Sequence, residues 1–344
     1  MKFALFMTKN KRFLIFINIC VFAILMTGCF LTHKKPDISK ININMEVKRF
    51  EKDLFNTPLA DLKDTIPYLK NKYPDFFELF NVYIINIGKS STPTYTDLLL
   101  QFVTYYGSQQ AYKLVEQQYS DFSFYEDEIE KAFRYYKYYL PDKKVPDIVT
   151  FIAGFQQSVV IDENLLAIGL DNYLGRDCEL YQRLGISQYI ILNMHKDKIV
   201  PDAVLSWIKT EFPYNDSIDN ILSNMIYYGK VLYATGKMLP GTPDSLIMGY
   251  TNDQMNFCFA NENKMWTYLV DYKMLFKSDK LTINKLINDG PFTNDFSRKS
   301  PARAVTWLGW RIVDQYMRKN NVTLYDMLLE DDYMKIYNRA VYSP

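Results

Sequence analysis

The sequence predicts an α+β fold, predominantly helical, with one small β-meander at about residues 148–170. Apolar residues recur at helical spacing through most of the chain after residue 44. The β-branched runs cluster instead in one stretch, as Ile148-Val149-Thr150-Phe151-Ile152, Val159-Val160-Ile161 and Leu165-Leu166-Ala167-Ile168. Composition sets the scale: 344 residues, 48% hydrophobic, with only 13 glycines and 14 prolines, can build a large core and exclude low-complexity and disordered classes. The net charge of +1 gives no global basic field, so no nucleic-acid partner is expected.

The elements follow in order. Lys9, Lys11 and Arg12 form a positive n-region, and residues 13–27 are an apolar run too short to span a membrane comfortably. Leu25-Met26-Thr27-Gly28-Cys29 fits a bacterial lipobox, which makes residues 1–28 a lipoprotein signal peptide and Cys29 the acylated mature N-terminus. An uncleaved signal anchor and ordinary signal-peptide cleavage are the alternatives. Residues 29–43, with Lys34, Lys35 and Pro36, read as a lipidated polar tether that also carries His33. A single domain is expected over 44–344.

Helical spacing begins with Val47, Phe50, Leu54 and Phe55 and continues through residues 62–69, 76–84, 98–106, 111–119 and 125–139, until Pro141 and Pro146 break it. The sheet follows, its last two strands joined by Asp162-Glu163-Asn164 and its end marked by the turn formers of residues 171–175. Beyond it, Asp216 or Ser217 can cap a helix bearing Ile218, Ile221, Leu222, Met225, Gly229 and Leu232 on one face. Gly229 costs about 1 kcal/mol there relative to Ala, which points to a close helix crossing. Thr251 and Gln254 have the spacing of a capping box. The helix they open runs toward Phe276, with Cys258, Met265, Leu269, Tyr272 and Phe276 as its apolar stripe and Glu262 inside that stripe. Ser300-Pro301 supplies an N-cap and N1 proline for a last core helix carrying Val305, Leu308, Gly309, Ile312, Val313 and Tyr316.

Chemistry-bearing residues are few. The only histidines are His33 and His195, and His195 sits among basic and polar neighbours as a loop residue does. No G-x-S-x-G, P-loop or G-x-G-x-x-G run occurs. With Cys20 in the signal and Cys29 acylated, Cys178 and Cys258 remain, either as one disulfide or as two separately buried thiols. Glu262 needs a partner on an apolar face, and Arg303 or Arg311 can supply one; the alternative is a carboxylate that faces a ligand.

Certain segments are distinctive: Leu170-Asp171-Asn172-Tyr173-Leu174-Gly175, residues 225–239 (MIYYGKVLYATGKML), Gly249-Tyr250-Thr251 with Asn261-Glu262 and Trp266, and Pro291-Phe292-Thr293. Together with Ser300-Pro301, residues 307–313 (WLGWRIV), Tyr316-Met317 and the final Tyr342-Ser343-Pro344, they resemble the GldB family of Bacteroidetes gliding-motility lipoproteins. Ala302 and Ala304-Val305 depart from the glycine-containing turn expected after Ser-Pro. That family in turn resembles zincin-type metallopeptidases, with a β-meander, a His-Glu-x-x-His helix and a later Glu-Gly ligand pair. Here residues 201–210 (PDAVLSWIKT) contain no histidine, and Tyr228-Gly229-Lys230 stands where Glu-Gly would be.

The resemblance therefore implies a degenerate zincin-like scaffold with no metal or other cofactor and no catalytic residues. It also implies a groove where Tyr228, Lys230, Glu262 and Arg311 converge, the Lys230 ammonium replacing the lost cation beside Glu262. The expected role is a non-enzymatic interaction component of an envelope motility or secretion machinery, held to the membrane by its lipid and partnered by other envelope proteins. A peptidase with reorganised residues and a peptide-binding chaperone are the alternatives. Phe30-Leu31-Thr32 lacks the acidic run of surface-exported lipoproteins, which favours the periplasmic face of the outer membrane.

Overall fold

The structure, a computed structural model, describes residues 35–344. The predicted signal peptide (residues 1–28), Cys20, Cys29, His33 and the first part of the predicted tether lie outside the described residues. One compact unit spans Ile38–Pro344. It begins inside the predicted tether because Ile38, Ile43 and Met45 pack against the core.

Four strands, β1 (Val47–Arg49), β2 (Asp147–Phe151), β3 (Val159–Asp162) and β4 (Leu165–Gly169), form one sheet in the order β1-β2-β4-β3. This is not the expected meander. β1, β2 and β4 run parallel, and only β3 and β4 form an antiparallel hairpin, closed by Glu163-Asn164 with Glu163 at φ 38°. The chain leaving β2 passes to the outside of the sheet before it turns back, so β4 takes the inner place. All five residues of β4 are buried, as a continuous apolar run between two covered faces should be. β1 was expected as helix, since a three-residue edge strand leaves no periodicity to read.

Strand alternation divides the core in two. Val149, Phe151, Leu165 and Ala167 face α1 (Phe50–Phe55), α2 (Leu62–Lys72), α3 (Pro74–Leu79) and α4 (Tyr95–Thr104). Ile148, Leu166 and Ile168 face the larger helical layer. That layer begins with α5 (Tyr106–Tyr119) and α6 (Ser123–Tyr139), followed by the short α7 (Glu179–Arg183) and α8 (Gln188–Ile191). It continues through α9 (Ile199–Glu211), α10 (Ile221–Met238), α11 (Asp244–Met248), α12 (Asn252–Asp271) and α13 (Lys280–Ile287). The last helices are α14 (Ala304–Lys319), α15 (Leu324–Leu329) and α16 (Tyr333–Ala340). No helix among the described residues is long and apolar enough to cross a membrane.

The helix ends test the capping arguments. Thr251 and Gln254 form the expected capping box on α12. α10 starts later than expected, because Asn220 and Ser223 exchange reciprocal side-chain bonds of 2.9 Å while Ile218 is 63% exposed. α12 ends at Asp271, which leaves Tyr272 and Phe276 exposed rather than on its buried stripe. Ser300-Pro301 does not cap α14. The Pro301 carbonyl accepts from Thr293 Oγ1 at 2.8 Å and Ser300 Oγ at 3.1 Å, which holds it outside the helix, and Arg303 at φ 57° makes the entry.

Gly229 marks the predicted crossing. A Cβ built on it would lie 2.3 Å from the Gly309 carbonyl carbon, and one on Gly309 would lie 1.7 Å from the Met225 carbonyl oxygen. α10 and α14 thus meet backbone to backbone.

Candidate functional site

The site is assembled at the carboxyl ends of the parallel strands, where open sheets place their ligand crevices. Leu170–Tyr173 is a 3-10 turn that directly follows β4. Within it the Asp171 carboxylate accepts the N–H groups of Ala153 at 3.1 Å and Phe155 at 2.8 Å, fixing the loop after β2 in which Gly154 and Phe155 both have positive φ. Burial pushes the Asp171 carboxyl up to about 6, against the pull of those N–H donors. Asn172 Nδ2 donates to the Gln157 carbonyl at 3.0 Å. Tyr173 donates its hydroxyl to Asp202 Oδ2 at 3.2 Å, and burial raises its phenol well above the usual range.

Asp202 lies in the first turn of α9 and also holds Lys198, whose Nζ is 2.8 Å from Asp202 Oδ1 and 3.0 Å from the Leu246 carbonyl. Lys198 is 3% exposed, so its ammonium has exchanged water for these two oxygens. Across from it, Arg303 Nε stands 2.7 Å from Asp289 Oδ1, and its Nη2 donates to the Met248 carbonyl at 2.9 Å. The guanidinium lies over the Tyr250 ring at 5.9 Å, while the Tyr250 hydroxyl donates to the Ala302 carbonyl at 2.6 Å. Asn193 Nδ2 donates to the Gly249 carbonyl at 3.1 Å, which ties the segment after α8 to the left-handed end of α11.

These walls enclose a cavity of about 330 Å³ that takes in Ser158, Tyr173, Tyr189, Lys198, Asp202 and Arg303. A smaller one of about 50 Å³ shares Tyr189, Asn193, Gly249, Asp289 and Arg303 with it and prolongs the groove toward Gln254 and Pro291. A larger hollow of about 670 Å³ lies elsewhere, between α5 and residues 174–183. None of the residues lining that hollow is buried, so it lacks the fixed polar groups of the groove.

A family model for gliding motility protein GldB matches residues 32–344. The chain belongs to the GldB family. No curated protein and no solved structure matches it. Membership makes the protein a gliding-motility-associated lipoprotein of the cell envelope. Of the segments that carried the resemblance, Asn172-Tyr173, Gly249-Tyr250 and Pro291 line the groove just described, whereas Asn261-Glu262 and Trp266 do not.

The zincin side of the resemblance gains no support. The sheet is mixed rather than a meander.

Nor do the four residues expected in a groove of this GldB-family member converge. Lys230 Nζ donates to the Glu330 carbonyl at 2.8 Å and lies over the Tyr333 ring, with its amine pushed down to about 8 by burial. Glu262 pairs instead with Arg311 Nε at 2.8 Å and accepts the Tyr342 hydroxyl at 2.6 Å. Tyr228 stacks at the edge of Tyr227 with the Lys209 ammonium over its ring. Helical geometry gives the reason: residues two apart lie about 200° around the axis, so with Gly229 turned to α14, Tyr228 and Lys230 diverge.

Arg311 is thus the partner found for Glu262, its guanidinium lying among Phe259, Trp307 and Trp310, whereas Arg303 belongs to the groove. Cys178 and Cys258 are free thiols, not a disulfide. Cys258 is buried in the main core, where its thiol is pushed up to about 12, while Cys178 packs in a small separate cluster beside Tyr181. His195 is a partly buried loop residue, with Nδ1 3.4 Å from Asp197 and its pKa lowered by burial and then by Arg176.

Lys198, Asp202 and Asp289 were not read from the sequence as site residues. The one available signal was the Lys198/Asp202 spacing of four at the start of a helix.

Proposed function

We propose that this GldB-family lipoprotein is a non-catalytic, membrane-tethered component of an envelope motility or secretion machinery that binds a polypeptide segment of a partner in its groove. Cys29 carries the lipid, and the domain faces the periplasm from the outer membrane. The observation that carries the binding role is that the groove's charged groups are neutralised in pairs, Lys198 with Asp202 and Arg303 with Asp289. Such an arrangement orients a ligand through fixed donors and acceptors, whereas acid–base chemistry calls for a group with a free proton or lone pair aimed at the reacting atoms.

The test is a photo-crosslinking amino acid placed at Ile190, on the exposed lip of the groove, in living cells. Envelope proteins captured there, and lost when Lys198→Met is added, support the reading. Capture that is indifferent to Lys198→Met, or cleavage of added protein substrates that stops with Asp202→Asn, overturns it in favour of an unrelated surface or of a peptidase.

A further inference from the structure

β3 ends the sheet, and among the described residues no strand pairs with its outer edge. The hairpin register says which groups are free. Gly169 donates to the Ser158 carbonyl, so residues 158, 160 and 162 turn their hydrogen-bonding groups to β4 and Val159 and Ile161 turn theirs outward. An unpaired edge of this kind is a template for an extended chain. Antiparallel pairing is the commoner choice, and a chain added that way runs from the Asp162 end of β3 to the Val159 end. Its C-terminus then arrives at Ser158, which lines the groove.

The groove holds what a terminal carboxylate needs. Arg303 is the most available cation: its present partner Asp289 is 70% exposed, and so weak a surface pair exchanges readily. Guanidinium forks match carboxylates in two-point geometry. Lys198 donates to the Leu246 carbonyl and ion-pairs with Asp202, which leaves it at least one further N–H to offer. Arg303 is also held at φ 57°, a left-handed conformation that costs an L residue energy, and such strain concentrates at ligand clamps. A cavity of about 330 Å³ is at the small end for ligand sites and suits a chain end rather than a folded surface.

We propose that the groove captures the free carboxyl terminus of an extended polypeptide added to β3, with Arg303 as the carboxylate anchor and Asp289 as its displaceable stand-in. This rests on the polypeptide-binding reading above. The test uses the full chain in detergent micelles and two fluorescein-labelled random octapeptide pools, one with free carboxylates and one with carboxamide ends, followed by anisotropy.

The acid pool is expected to bind about tenfold tighter than the amide pool, as a charge-assisted anchor implies. Arg303→Gln should abolish that preference, and Lys113→Gln, the same charge change on an exposed site, should not. Asp289→Asn, on an exposed side chain that folding does not need, should strengthen acid-pool binding, which covers the case of an unstable Arg303 variant. Hydrogen exchange across residues 158–162 should slow when the acid pool is added. Equal binding of both pools, or no gain from Asp289→Asn, overturns capture of the terminus and leaves polypeptide binding standing. Binding of neither pool overturns both.

Discussion

Gly309→Ala is the sharpest test of how the helical layer is held together. The added methyl would sit 1.7 Å from the Met225 carbonyl oxygen and 2.5 Å from its carbon. These are backbone atoms inside α10, so no side chain can swing aside and the two helices must part. Overpacking of this kind costs about 1–3 kcal/mol and sometimes more, and the rigidity of the obstacle places Gly309 at the upper end. Against it stands about 1 kcal/mol of helix propensity returned by replacing glycine. A net loss of about 2 kcal/mol follows, which for a domain of this size lowers Tm by about 3 °C. Gly236 is the internal control. It lies on α10 as well, but its Cβ would meet only Ile247 Cδ1 at 3.7 Å, an ordinary contact, so Gly236→Ala should be neutral or stabilising by up to about 1 kcal/mol. Thermal melts followed by circular dichroism on an unlipidated Cys29→Ser background measure both. If Gly309→Ala melts with or above Gly236→Ala, the backbone contact between α10 and α14 is wrong.

Cys29→Ser should abolish incorporation of labelled palmitate and release the protein from the membrane fraction; label retained in the variant would show that the lipid sits elsewhere. Glu262→Gln removes the charge that holds both Arg311 and the Tyr342 hydroxyl, so it should cost about 1–2 kcal/mol and speed carboxypeptidase trimming of residues 342–344. Lys230, with its folded pKa lowered to about 8 from 10.5, binds fewer protons folded than unfolded between those values, so its contribution to stability rises as pH climbs from 8 to 10.5. Lys230→Met should flatten that rise in urea midpoints and leave stability at pH 7 unchanged or higher. Asp171 is the opposite case: its folded pKa is raised from 3.8 to about 6, so the contribution is greatest below pH 4, falls through pH 6 and is constant above. The fall is on the order of 3 kcal/mol from about two pKa units, and Asp171→Asn should remove it from urea titrations between pH 4 and 7.

Helix content, the position of the sheet, the α12 capping box and the Gly229 crossing were legible because each rests on local chemistry: periodicity, a cap, or a glycine whose propensity cost demands a reason. Strand order was not. Three β-branched runs in succession look alike whether they pair as neighbours or leave one slot open, and the choice is made by where the chain leaving β2 finds room. The site residues failed for a related reason. Tyr228, Lys230 and Glu262 were grouped by analogy with a metal centre, whereas their own helices point them apart. Arg303 was weighed as a partner of Glu262 because nothing local reveals that Asp289, fourteen residues earlier, reaches it first.

Residues 170–173, which the sequence marked only as turn formers and as part of the family resemblance, supply the groove's floor through Asn172 and Tyr173, and the geometry of one turn accounts for it. A 3-10 turn advances three residues per revolution, so successive side chains leave it about 120° apart. Leu170–Tyr173 is such a turn. Asp171 therefore reaches back to the loop after β2, Asn172 to Gln157 at the foot of β3, and Tyr173 across to Asp202 on α9, three partners on three sides from consecutive residues. An extended conformation, which sends successive side chains to opposite faces, could not serve all three. Because the same turn fixes the start of β3 and the Lys198/Asp202 pair, any change that loosens it, such as loss of the Asp171 carboxylate's hold on residues 153–155, should be felt at the edge strand and at the cation wall together.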